Sequence, residues 1–181
     1  MQTWRILVAY ASRLGSTREI AQTIGEVLVQ RGADVDVLPV DAVQHLEGYH
    51  AVIVGGAIRE GQWLPEARSF VEIHRDALRR LPVLYFAVSG LMSDPTPAHF
   101  HEVYGCMSEV RNLVEPLEVG IFAGALNYGR LEQHQLIQVL SKGLPEGDFR
   151  RWQDIRAWAE DIADRLLLER ARQQAGGSEA L

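Results

Sequence analysis

The opening of the chain most constrains what it can become. Residues 4–10 (Trp4-Arg5-Ile6-Leu7-Val8-Ala9-Tyr10) form a short, nearly continuous apolar run, and residues 12–16 form a break of small residues. From Thr17 to about Arg31 the apolar residues Ile20, Ile24, Val27 and Leu28 then recur at helical spacing, and Gly32 follows as a stop. A strand that is apolar at nearly every position has to be covered on both faces. A helix that begins within a few residues of its end supplies part of that cover.

The same alternation continues. Strands are expected at 35–38, at 51–54 (ending in Gly55-Gly56), at 82–89 and at 117–125, where Gly120 and Gly124 weaken the pattern. Helices are expected at 64–78, with Ala67, Phe70, Val71, His74 and Leu78 on one stripe, at 98–114, and at 131–141. Residues 143–148 read as a turn, and 152–168 as the clearest amphipathic helix, with Trp152, Ile155, Trp158, Ala159, Ile162, Ala163 and Leu166 on one face. Alternating strands and helices predict an α/β fold: a doubly wound, five-stranded parallel sheet with helices on both faces. The common order for five strands is 2-1-3-4-5. A length of 181 residues suits one domain, expected over 1–169, with a polar, frayed tail over 170–181.

Charge and cysteine content narrow the function. A net charge of −6 opposes approach to phosphate backbones, so nucleic acid is not an expected partner. Cys106 is the only cysteine, so no intrachain disulfide forms. No apolar run approaches the ~20 residues of a spanning helix, and residues 1–10 carry no signal-peptide pattern, so the expected location is the cytoplasm.

Ligands of doubly wound sheets sit beyond the carboxyl ends of the strands. The first such loop, Ser12-Arg13-Leu14-Gly15-Ser16-Thr17, combines three hydroxyls, one glycine and a helix start. Unpaired N–H groups of a first helical turn favour an anion, and a glycine lets the backbone approach it closely. The alternative is plain capping, with Ser16 as N-cap and Glu19 completing a capping box; one helix end can serve both purposes. The loop is neither G-x-G-x-x-G nor a Gly-Lys-Ser/Thr triphosphate loop, which leaves a monophosphate as the better ligand.

The pattern Ser-x-x-Gly-x-Thr after the first strand resembles the FMN phosphate loop of flavodoxins. The stretches Gly55-Gly56-Ala57-Ile58-Arg59-Glu60-Gly61-Gln62-Trp63 and Ala123-Gly124-Ala125-Leu126-Asn127-Tyr128-Gly129-Arg130 resemble the flavodoxin-like branch that includes menaquinone-dependent protoporphyrinogen IX dehydrogenase. The resemblance implies a flavodoxin-like fold, FMN as cofactor, and an oxidoreductase of the protoporphyrinogen dehydrogenase kind. It implies a phosphate site at Ser12, Arg13, Leu14, Gly15, Ser16 and Thr17. Ala57, Ile58 and Arg59, from the loop after the third strand, and Val88, Ser89 and Gly90, after the fourth, would line the flavin. Asn127, Tyr128 and Gly129 fall in the loop characteristic of that branch. The alternative function is a flavodoxin-type electron-transfer module serving a partner protein. Partners are then a small-molecule or protein electron donor or acceptor; a membrane surface and a homodimer stay open.

Individual residues have rival readings. Trp63 either stacks on the flavin or packs as a staple on Phe70; Tyr128 either stacks or is anchored through its hydroxyl. Arg59 either favours the anionic reduced ring or pairs with Glu60 or Glu66. His99, His101 and Glu102 do not share a helix face, so no metal site is expected. Cys106 lacks a basic neighbour in sequence and reads as buried filler. Ser89-Gly90 lacks the G-x-S-x-G pattern of a hydrolase nucleophile. No catalytic acid or base is singled out, because a flavin carries its own redox chemistry.

Overall fold

Along the first strand, β1 (Arg5–Ala11), side chains alternate between two cores: Leu7, Ala9 and Ala11 enter one, Ile6 and Val8 the other. The computed structural model describes residues 4–176. After β1 come α1 (Ser16–Gln30), β2 (Asp34–Pro39), β3 (Ala51–Arg59), β4 (Gln62–Trp63), α2 (Pro65–Ile73), α3 (Arg75–Leu78) and β5 (Val83–Ser89). The chain continues through α4 (Pro97–Gly105), α5 (Ser108–Leu113), β6 (Glu118–Ala123), β7 (Ala125–Leu126), α6 (Gln133–Ser141), β8 (Gly147–Asp148) and α7 (Trp152–Gly176).

The five long strands are parallel in the order β2-β1-β3-β5-β6. Counted among themselves they run 2-1-3-4-5, as expected. One face packs on α2, α4 and α5 through Leu7, Val52, Val54, Tyr85, Phe70, Val71, Val103 and Val110. The other packs on α1 and α7 through Ile6, Val8, Ile53, Phe86, Ile20, Ile24, Ile155 and Ile162. Side chains such as Ile6, Leu7, Ile53 and Leu84 are wholly buried, each contributing roughly 1.5–3 kcal/mol relative to exposure.

Several elements differ from expectation. β3 does not stop at the glycines: it runs on to Arg59 and turns back into the antiparallel strand β4, with Arg59 opposite Gln62. Ala57, Ile58 and Arg59 therefore lie on a strand and not in a loop. The helix expected at 64–78 is broken at His74, and the one at 98–114 is broken between Gly105 and Ser108. The turn at 143–148 contains β8, which pairs with β7 in a small ribbon of its own. Of the tail expected from 170, residues up to Gly176 continue α7, and 177–181 lie outside the described residues.

Candidate functional site

α1 starts one residue earlier than its apolar pattern suggests. Gly15 occupies the N-cap position with φ 96°, and Ser16 is already helical, with no side-chain cap. The expected Ser16–Glu19 capping box is therefore not formed. Glu19 instead receives a hydrogen bond from Arg150. The first bond of the helix runs from Glu19 N–H to Gly15 C=O at 3.2 Å, so the N–H groups of Ser16, Thr17 and Arg18 precede the ladder and are left for another acceptor. Ser12 Oγ accepts from Gly15 N–H at 3.1 Å and folds the loop back, keeping its own proton to donate. Thr17 is buried beneath the turn.

Arg150 shapes the charge here. Its side chain is only 10% exposed. It donates to Asp148 Oδ1 at 2.8 Å and Oδ2 at 2.6 Å, as well as to Glu19. Its guanidinium lies 4.6 Å from the Trp152 ring centroid. The acid nearest the start of α1 is thereby neutralised, and Asp148 is held below the usual carboxylate range, chiefly by the bond from Arg150.

Beyond the ends of β3, β5 and β6 opens a cleft, part of it continuous with solvent. Of the expected site residues, Arg13, Ser16, Ala57, Ile58, Arg59, Val88, Ser89 and Gly90 all line it. An adjoining cleft, lined by Leu14, Ser16, Asn127, Arg130 and Arg150, surrounds the start of α1. Ser16, Ala125 and Leu126 are common to both, so the helix end and the strand ends face one continuous depression. Gly124 allows this closeness: a Cβ there would meet Val88 Cγ1 at 2.9 Å and Ser16 Oγ at 3.5 Å.

Arg59 is not paired with Glu60 or Glu66. Glu66 bonds Arg13 at 3.0 Å, and among the described residues the half-buried Arg59 has neither ion pair nor hydrogen bond through its guanidinium. Burial, with the nearby Arg13 charge, holds its pKa below the ordinary arginine value. A desolvated cation without a counter-ion suits an anionic ligand.

Trp63 lies elsewhere. Its indole is 4% exposed, donates Nε1–H to Gly56 C=O at 3.0 Å and tilts against Tyr85 at 5.4 Å. It packs with Tyr85 as its ring partner. Tyr128 is anchored: its hydroxyl donates to Leu144 C=O at 2.7 Å and its N–H to Glu146 Oε1 at 2.9 Å. Asn127 Oδ1 accepts from Gly129 N–H at 2.9 Å. Tyr128 thus ties the 144–146 segment to this loop, and Leu144 in turn lies over Gly90, where a Cβ would come within 3.0 Å of its Cδ1.

The far wall was not foreseen. Glu102 and Cys106 from α4 and its end, Gln135, Gln138 and Val139 from α6, and Lys142, Leu144, Pro145 and Phe149 beyond it all line the cleft. Gln135 and Gln138 stand one turn apart, the only local signal that could have found them. Cys106 is half-buried at the cleft wall, where it was expected as buried filler. Its thiol donates to Glu102 C=O at 3.2 Å, and burial and the Glu102 charge push its pKa up, against a smaller opposing effect of Lys142. His99 Nδ1 lies 2.6 Å from Asp94 C=O, and no cluster of three metal-ligating side chains occurs among the described residues.

Three comparisons bear on this geometry. A family model described as "Flavodoxin domain" matches residues 7–146. Protoporphyrinogen IX dehydrogenase [quinone] of Escherichia coli (strain K12) is 27% identical over 175 residues, covering 88% of this chain and 94% of that protein. The protein of the same name from Leishmania major is 28% identical over 180 residues, covering 90% and 76%. Among solved structures, the flavodoxin of Streptococcus pneumonia TIGR4 superposes with a TM-score of 0.58 at 16% identity, over 91% of this chain and 99% of that one. Among the described residues no helix is long and apolar enough to cross a membrane.

Proposed function

Since the chain belongs to the flavodoxin domain family, we propose that it binds FMN and acts as an oxidoreductase of the protoporphyrinogen IX dehydrogenase kind. The observation that carries the reading is the single depression shared by the open first turn of α1 and by the ends of β3, β5 and β6. The residues present fit the cofactor at both ends. At one end stand free N–H groups, hydroxyls and an acid already neutralised; at the other, an apolar floor with one unpaired cation.

In this reading the N–H groups of Ser16, Thr17 and Arg18 and the hydroxyls of Ser12, Ser16 and Thr17 hold the phosphate. Arg150 keeps the Glu19 carboxylate from repelling it. Ala57, Ile58 and Val88 present the apolar floor for the ring system. Ser89 Oγ accepts from Leu91 N–H at 3.3 Å, which fixes the turn carrying Gly90. Leu144 and Pro145 keep water from that end. FMN, once bound, supplies two-electron redox chemistry. The two protoporphyrinogen dehydrogenases, aligned over 88% and 90% of this chain, support the enzyme over an electron-transfer module.

The test is direct. The purified protein takes up FMN in a fluorescence-quenching titration and binds riboflavin more weakly. Under anaerobic conditions the loaded protein oxidises protoporphyrinogen IX at the expense of a quinone, read as porphyrin fluorescence. Failure to bind FMN removes the cofactor; binding without this turnover removes the substrate alone.

A further inference from the structure

We propose that Arg59 sets the redox preference of the site: it holds the two-electron-reduced, anionic flavin more tightly than the oxidised, neutral one, and thereby raises the two-electron potential. The inference rests on the FMN reading above and goes beyond it.

Three observations carry it. The first is presentation. Arg59 ends β3 opposite Gln62, immediately before a two-residue hairpin loop in which Glu60 has φ 53° and Gly61 φ 75°. Positive φ at both positions is the geometry of a type I′ turn, which matches the twist of its strands. Glu60 is the only non-glycine residue at positive φ among those described. A strained residue held this way marks a firmly determined turn, so Arg59 is offered from a rigid hairpin and not from a mobile loop.

The second is the absence of competition. Glu66, the acid best placed to quench Arg59 in sequence terms, is held by Arg13 at 3.0 Å. Glu60 makes no ion pair with Arg59 among the described residues. Arg59 thus lines the cleft as a half-buried cation that feels the charge of another cation, Arg13.

The third is a division of labour. The phosphate has its own seat at the start of α1, with Arg130 flanking it in the adjoining cleft, where Nη1 lies 3.5 Å from Leu14 C=O. Arg59 stands with Ala57, Ile58, Val88 and Ser89 at the strand ends, the floor assigned to the ring. The oxidised ring is neutral. An organic substrate losing two electrons and two protons delivers both electrons and one proton to the ring and the second proton to solvent. The ring is left with one negative charge. A fixed cation stabilises only that charged form, and differential binding of this kind is a shift in potential.

The experiment compares wild type, Arg59→Ala and Arg59→Lys, each checked for an unchanged thermal midpoint. Affinities for oxidised FMN and riboflavin come from fluorescence quenching. Potentials come from equilibration with reference dyes under dithionite. In Arg59→Ala, oxidised FMN is expected to bind within about threefold of wild type, while the ratio of reduced to oxidised affinity falls ~10-fold, a drop of ~30 mV for a two-electron couple. Arg59→Lys keeps most of the wild-type potential. An unchanged potential in Arg59→Ala overturns the proposal. So does an equal loss for oxidised and reduced FMN with riboflavin unaffected, which makes Arg59 a phosphate ligand. Should wild type take up no flavin, the cofactor reading itself falls, and this inference with it.

Discussion

Replacing Arg150 by alanine separates the folding role of its clamp from its effect on the anion end of the cleft. The side chain is 10% exposed, bonds both oxygens of Asp148, and also holds Glu19. Its two acids are about half exposed, Asp148 at 49% and Glu19 at 55%. Water can therefore take them back when Arg150 is removed. The cost then lies nearer that of a surface pair than that of a buried pair stripped of one partner. With the contact to Trp152 included, the expected loss is about 2 kcal/mol at pH 7. The pH dependence has a definite direction. In the folded state the bond from Arg150 holds the Asp148 pKa below the ordinary carboxylate value, so its stabilisation is complete above the ordinary value and disappears as pH falls through the lowered one. Urea denaturation of wild type and Arg150→Ala should show a difference that is full at pH 7 and smaller at pH 3. An equal difference at both pH values, or none at pH 7, refutes the electrostatic account. The freed Glu19 should also weaken FMN binding roughly threefold relative to riboflavin, and adding Glu19→Gln should restore the ratio.

Three further outcomes are expected. Gly15→Ala costs about 1 kcal/mol in denaturation, all of it backbone strain, because no atom lies within 4 Å of the added Cβ; Gly15→Asn costs less. Trp63→Phe costs about 1–2 kcal/mol by losing the bond to Gly56, yet leaves FMN affinity within about twofold, since the indole is outside the main cleft; a tenfold loss of FMN would restore the stacking role. Tyr85→Phe strands the buried Val114 C=O that its hydroxyl serves at 2.9 Å, and calorimetry should show about 1–3 kcal/mol of destabilisation.

The sheet was readable because its strands are covered on both faces, so the apolar runs themselves report burial. Helix breaks were harder. His74 continues the apolar stripe of α2 in sequence, but in space its ring leans on Phe70 at 4.7 Å and the helix restarts at Arg75. The residues proposed to hold the phosphate were legible from local chemistry, since hydroxyls, glycine and helix start are consecutive. Arg59 was found as a charge, but its freedom from Glu66 was not, because the competing Arg13 lies 53 residues away from that acid. The wall from α4 and α6 left almost no trace: Glu102 and Lys142 come to one cleft only through the fold. Trp63 was ambiguous because strand-end aromatics serve packing and stacking alike; in the fold it packs into the space Gly56 leaves, where a Cβ would lie 2.6 Å from Trp63 Nε1.

The two adjacent glycines of β3 have a consequence for how the protein can diverge. A Cβ on Gly55 would fall 1.9 Å from Phe86 Cζ, and one on Gly56 within 2.6 Å of Trp63. Each vacancy is thus the mould of one particular aromatic, on opposite sides of the same ribbon. Neither glycine can gain a side chain alone: enlarging position 55 requires a smaller residue at 86, and enlarging 56 a smaller one at 63. The middle of the sheet thus carries two size-matched couples, each a glycine facing the aromatic that fills its space.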